Sequence, residues 1–212
     1  MALSEQDRQN ERMRLAQIVL DLVKKRGAEI PFATAVAESG LTRARFEQIF
    51  ADYDDMVDAA AHVWLEPHIA AMEEVVDADL PPIRKMYEFV RRRFVISRER
   101  FRDDPEFFIV INEMGAANME RVRPYVDLAD HYLSELIAQA QADGYFAGLG
   151  IDEALSLINQ MLSNYTIPDA IIFLGDRLTE EKLARIIDTI FIGLSGEAGE
   201  AAAGVNTLKV AS

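Results

Sequence analysis

The chain has 212 residues, half of them apolar, which suffices for one large core or a small domain joined to a larger one. It contains no cysteine, which excludes disulfides, thiolate nucleophiles and thiolate metal sites. A formal net charge of −14 works against non-specific affinity for nucleic acid, because that affinity comes from neutralising phosphates, and leaves a local basic face as the only route to it.

Apolar residues recur at helical spacing along nearly the whole chain and no segment keeps a strand period, so the fold class read here is all-α, with about nine helices. Residues 11–26 place Leu15, Ile18, Val19, Leu22 and Val23 on one stripe, with Lys24, Lys25 and Arg26 at the negative end of the helix dipole and Gly27 following. After Pro31, a short helix over 32–39 turns Phe32, Ala35 and Val36 inward, and a third runs from 42 to 50. Asp52, with Asp55 three residues on, caps a fourth helix through Met56, Val57, Ala60, Val63 and Trp64, which Pro67 is expected to bend or end. Asp79 with Pro81 and Pro82 opens a fifth over 83–100, Asp103-Asp104-Pro105 a sixth over 107–114, and 118–142 a seventh. An eighth runs from an Asp152 cap to Leu174 with Pro168 inside it, and a ninth from a Thr179 cap to Leu194. Residues 196–212 turn Gly/Ala-rich and are expected to be a disordered tail. The polar N-terminus has no signal-peptide core, and no apolar run reaches the roughly 18 to 20 residues that span a bilayer, so a cytoplasmic location without a membrane partner is expected.

The densest information lies in residues 39–56. Ser39-Gly40 supplies a tight turn, Leu41 an apolar plug beneath it, and Thr42 a hydroxyl able to cap the next helix by accepting from a backbone N–H. Phe46, Ile49 and Phe50 fall at core spacing, leaving Thr42, Arg43, Arg45 and Gln48 outward with Ala44 among them. Residues 1–66 hold 8 Lys and Arg against 12 Asp and Glu. The cations are grouped, however: Arg8, Arg12 and Arg14 open the first helix, Lys24 to Arg26 close it, and Arg43 and Arg45 lie on the third.

A first helix ending in Lys-Lys-Arg-Gly, a short helix, Ser-Gly-Leu-Thr, a helix closing on Phe50 and an Asp-capped fourth helix together resemble the tetracycline-repressor (TetR) family of bacterial transcription regulators. The likeness covers the whole chain in layout and is most specific over residues 13–65. It implies a helix-turn-helix DNA-binding domain over 1–52 and a ligand-binding and dimerisation domain over 53–195, with helix 53–66 linking them. It further implies a homodimer on a near-palindromic double-stranded DNA operator, acting as a repressor released by a small molecule, with no cofactor and no enzymatic activity. On that reading the DNA-facing residues are Thr42, Arg43, Ala44, Arg45, Gln48 and Tyr53. Arg43 and Arg45 suit the O6 and N7 of guanine, and Gln48 suits adenine. Three departures stand out: Glu47, Ile49 and Tyr53 occupy positions where the family commonly has Tyr, His and Lys on phosphates, and Glu47 brings a carboxylate to an anion. The alternative reading is a TetR-like protein with a degenerate DNA-binding head, acting through a protein partner or through small-molecule binding alone.

In the second domain, Phe94, Phe108, Met114, Met119, Tyr125, Tyr132, Met161 and Tyr165 are core residues by spacing. The family resemblance makes them candidates to line a pocket for a partly apolar or aromatic effector. Asp127, His131 and Glu135 share a helical face but are read as solvated or ion-paired, with no metal. Arg91, Arg92 and Arg93 fan over three directions and are read as ion-paired or solvated. No Gly-rich phosphate loop, His-Glu-x-x-His pair or serine elbow is present, and nothing argues for catalysis.

Overall fold

The computed structural model describes residues 4–195, which leaves the predicted tail at 196–212 outside the described residues. Among the described residues there is no strand, and ten α-helices follow one another: α1 (Glu5–Arg26), α2 (Phe32–Ser39), α3 (Arg43–Glu47), α4 (Tyr53–Val76), α5 (Pro82–Asp103), α6 (Pro105–Ala117), α7 (Met119–Ala142), α8 (Ile151–Thr166), α9 (Pro168–Leu174) and α10 (Glu180–Ser195). A 3-10 turn at Gly175–Arg177 lies between the last two. The fold is all-α, as the periodicity predicts, with one helix more than expected.

The extra helix comes from Pro168. Ile167 before it is held extended at ψ 123°, as steric conflict with a following proline ring demands, so the predicted single helix over 152–174 divides into α8 and α9. Pro67 has the opposite outcome, since α4 continues through it to Val76 instead of ending near 66. The helix loses one N–H there, and Met72, Val75 and Val76 beyond the proline are buried, while Arg100 donates from Nη1 to the Trp64 carbonyl at 2.8 Å. Helix α1 starts earlier than its apolar stripe suggests. Ser4 accepts from the Asp7 N–H at 3.1 Å, and the acidic first turn of Glu5 and Asp7 suits the helix dipole. Several predicted caps are in place: Thr42, Asp52, Asp104 and Thr179 each accept from the backbone N–H three residues on. For α8, Gly150 is the flanking residue and Asp152 lies inside the first turn.

The chain divides into two compact units, one built from residues up to Ala70 with Arg98–Asp127, the other from Ala71–Ser97 with Leu128 onward. In the first, Leu15, Val19 and Val23 of α1 close over Phe46, Ile49 and Phe50 and over Met56 and Ala60 of α4, all buried. Phe46 sits at its centre, 5.1 Å from the rings of both Phe32 and Phe50. Trp64 and, from α6, Phe107, Val110 and Met114 pack against this core. In the second unit the core is Met86, Phe89 and Phe94 of α5, Leu133 and Ile137 of α7, Ile158 and Leu162 of α8, and Leu183, Ile187 and Phe191 of α10. Glu88 is buried among them. Burial alone would raise its pKa, yet Arg91, with Arg84 and Arg92, holds the carboxyl below the ordinary range. Two members of the arginine run therefore converge on one carboxylate, while Arg93 lies over the Phe89 ring at 5.3 Å.

Gly40, between α2 and α3, has φ +71°, and nothing would touch a Cβ placed there. Its requirement is conformational, not steric contact. Gly40→Ala is expected to destabilise the first unit by about 1–2 kcal/mol, and Gly40→Asn by less, in denaturant unfolding.

Candidate functional site

Helices α2 and α3 and the turn at Gly40 form a helix-turn-helix, with α3 held from beneath by Phe46 and its first turn closed by Thr42. Arg43, Ala44 and Gln48 are exposed, Arg45 is half-buried, and Tyr53 is exposed as the first residue of α4. The short span of α3 brings these side chains together on one surface, but it also pairs them with each other. Arg43 Nε donates to Glu47 at 2.7 Å, one turn along, and Arg45 Nη1 donates to the Gln48 side-chain oxygen at 3.0 Å. The carboxylate that departs from the family pattern thus has a definite partner. Its contact holds the Arg43 guanidinium above its usual pKa.

The same economy runs through the rest of the segment. Arg14 forks onto Glu11, Lys24 meets Asp104 at 2.7 Å, and Arg26 meets Glu38 at 2.9 Å. Arg12 is grouped with a basic face by sequence, but its role is internal. It pairs with Asp55 through both terminal nitrogens, donates to the Ile49 carbonyl at 3.1 Å and the Asp55 carbonyl at 3.2 Å, and lies 4.9 Å from the Phe50 ring centroid. One side chain of α1 thereby fastens the end of the helix-turn-helix to the start of α4. Arg12, Arg14, Lys24, Arg26 and Arg43 all end on carboxylates of this chain, so phosphate contact through any of them requires exchanging one anion for another.

The first turn of α4 is fixed from two sides. Asp52 Oδ1 accepts from the Asp55 N–H at 2.8 Å, and Asp55 Oδ2 accepts from the Ala51 N–H at 2.8 Å. From α7, Arg121 pairs with Asp54 and Asp58 and donates to the Asp54 carbonyl at 3.1 Å. The Arg12 hydrogen bond holds the Asp55 carboxyl below the ordinary range, against the effect of burial and with help from the Ala51 N–H. Sequence reasoning missed both arginines as positioning residues, since their partners are 43 and 63 or more positions away.

The eight residues proposed for an effector site do not share one unit. Phe108, Met114, Met119 and Tyr125 belong to the first, Phe94, Tyr132, Met161 and Tyr165 to the second. In the first, buried Phe108 lies 6.4 Å from Trp64 and 5.6 Å from Phe101, Met114 joins the helix-turn-helix core, Tyr125 lies 6.3 Å from the His68 ring, and Met119 is 53 % exposed. In the second, Phe94 stacks edge-on against Tyr165 at 5.1 Å, and the Tyr165 hydroxyl donates to the Thr179 carbonyl at 3.1 Å. Tyr132 donates to Glu73 at 2.9 Å, and Met161 is on the surface. Trp64 and Arg100, which sequence reading passed over as site residues, form a cation–π contact in the first unit. The guanidinium carbon lies 3.9 Å from the indole centroid. Among the described residues no group of three or more His, Asp or Glu is arranged to hold a metal, and no helix is long and apolar enough to cross a membrane.

The described chain is all-α, with a helix-turn-helix over α2 and α3 followed by seven further α-helices. Residues 82–187 match the family model described as tetracyclin repressor-like, C-terminal domain. The chain belongs to the TetR family of regulators. No curated protein matches it.

The Arg12–Asp55 pair should dominate the acid response of the head. Because the folded pKa of Asp55 is depressed, its stabilisation is complete above the unfolded value of about 3.9 and is lost as pH falls through the folded value. Asp55→Asn is expected to flatten the fall in stability below about pH 4, and an Arg12→Ala, Asp55→Ala cycle to give a coupling of about 1.5–3 kcal/mol at neutral pH, both read by denaturant unfolding.

Proposed function

We propose that this protein is a homodimeric, ligand-responsive DNA-binding regulator, a repressor that a small molecule releases from its operator. The observation that carries the reading is the Gly40 turn and Thr42-capped α3, which presents Arg43, Ala44, Arg45 and Gln48 outward over a buried Phe46. Two such helices in a dimer would enter successive major grooves about 34 to 36 Å apart, matching a near-palindromic operator. Arg45, held by a neutral amide and not by a carboxylate, is the side chain best placed to exchange its partner for a guanine edge. Dimerisation is supported by the apolar surface of the second unit. There α8 and α10 pack on each other, while Leu157 and Met161 of α8 remain exposed, as do Phe173 of α9 at 86 % and Ile192 of α10 at 77 %.

The alternative of a degenerate head acting through a partner is favoured by a specific feature, the pairing of five head cations with this chain's own carboxylates. Salt separates the two readings. Binding to DNA from upstream of the protein's own gene should weaken with a log–log slope of about −5 if each protomer commits three cations, and no binding at low salt would favour the alternative. Glu47→Gln, which removes the competitor for Arg43, should tighten binding by about two- to fivefold in the same titration. Arg45→Ala should level the preference between operator and scrambled DNA; an unchanged preference would remove Arg45 from base recognition.

A further inference from the structure

Arg100 of α5 differs from the arginines that end on carboxylates, such as Arg12, Arg43 and Arg121. Its Nη1 donates to the Trp64 main-chain carbonyl at 2.8 Å, its guanidinium carbon lies 3.9 Å from the Trp64 ring centroid, and its interactions include no carboxylate of the described residues. Burial pulls its pKa below the usual arginine value, with the Tyr125 phenol acting in the opposite sense. Withdrawing a cation from water without an anion is unfavourable, and a guanidinium has five N–H donors in a planar fork suited to a carboxylate. The surroundings are aromatic. Trp64 lies 5.4 Å from Phe107 and 6.4 Å from Phe108, which in turn lies 5.6 Å from Phe101.

The carbonyl that Arg100 holds is also a particular one. Pro67, within α4, has no N–H for the Val63 carbonyl and its ring presses on it, so this stretch of α4 has lost backbone hydrogen bonding and takes a side-chain donor at the next carbonyl, that of Trp64. Trp64 and Phe107 also pack directly on the core that contains Phe46 and Phe50, the residues supporting α3. The Arg100 contact therefore lies one layer of side chains from the helix-turn-helix.

The structure assigns Arg100 as the anchor for a small organic carboxylate with an aromatic body, which would take the guanidinium from the Trp64 carbonyl beside Pro67 and so alter the local geometry of α4. This rests on the ligand-responsive reading above and specifies the chemistry of its effector. The apolar body packs among Trp64, Phe101, Phe107 and Phe108, and the carboxylate supplies the anion that the guanidinium lacks. Release of the Trp64 carbonyl leaves the proline segment of α4 with one constraint fewer, and the shared core carries the change toward α3.

Trp64 is the only tryptophan in the chain, so its fluorescence reports on this contact without any DNA present. The full chain is titrated with benzoate, phenylacetate, 3-phenylpropionate and cinnamate, and with the neutral amide of each. At least one acid is expected to give a saturable change in Trp64 emission, with its amide weaker by about ten- to a hundredfold. Arg100→Gln, which keeps an N–H donor for the Trp64 carbonyl but no charge, should remove that preference for the acid, and Arg100→Lys should keep part of it. Equal responses to acid and amide, an unchanged preference in a folded Arg100→Gln protein, or no saturable response to any of the four acids would each overturn the assignment. Operator release by the same acid is measured separately. An acid that binds at Trp64 without releasing DNA contradicts the regulatory reading and leaves the ligand class standing, whereas DNA binding with no acid response at Trp64 does the reverse.

Discussion

The first unit depends on one guanidinium that ties α1 to the distant stretch where the helix-turn-helix ends and α4 begins. Arg12 reaches from α1 to the Ile49 carbonyl at the end of the helix-turn-helix, to the Asp55 carboxylate and carbonyl in the first turn of α4, and to the face of Phe50. Helix α3 has five residues, too few to be stable by itself, so its orientation must come from what surrounds it. Phe46 fixes it from within the core. Arg12 and Asp55 fix the chain leaving it, and Arg121 anchors the same turn of α4 from α7. A charged clamp suits this place because it is directional. Apolar burial holds α3 against the core but does not by itself set the angle at which the chain departs.

That clamp also clarifies what the charge balance does. An excess of acid suggests repulsion from DNA, yet Glu11, Glu38, Glu47 and Asp55 of the first sixty residues, with Asp104 from beyond them, each hold a basic residue of the first sixty. These pairs are not equivalent. Arg12 is part-buried, satisfied four times and committed to structure, whereas Arg43 is well exposed, with a single partner one turn away, and a surface pair of that kind contributes little. A ligand phosphate or base competes easily with the second and scarcely with the first. Under the proposed function, affinity for DNA would be set by a few exchangeable side chains rather than by net charge, which would make recognition more sensitive to each substitution on α3.

Local rules made much of the fold legible. The Thr42, Asp52, Asp104 and Thr179 caps are decided within three residues of themselves, and the stripes that bury Leu15, Val19, Phe46 and Phe50 repeat at helical spacing. The two internal prolines show where such rules end. Pro168 separates α8 from α9, while Pro67 remains inside α4, where Arg100 donates to the Trp64 carbonyl from 36 positions away. Arg12 was likewise readable as a basic residue but not as a clamp, because only the fold brings Asp55 to it. The effector candidates suffered most. Aromatic and Met residues at core spacing carry no information about which unit they enter, and the polar group that gives the aromatic cluster its chemical character, Arg100, has nothing unusual about its sequence surroundings.

Helix-turn-helix, clamp and aromatic cluster share one contact unit, so a change at Trp64 and a change at α3 concern the same packed core. The proposed function stands or falls on whether that core presents α3 to a defined DNA sequence. The most direct measurement is selection from a random-sequence duplex pool by the purified full chain at low salt. The account predicts enrichment of a two-fold-symmetric sequence with half-site centres one helical turn apart, or a multiple of it, and guanine at the positions lost on Arg45→Ala. Recovery of no common sequence from repeated rounds would contradict it.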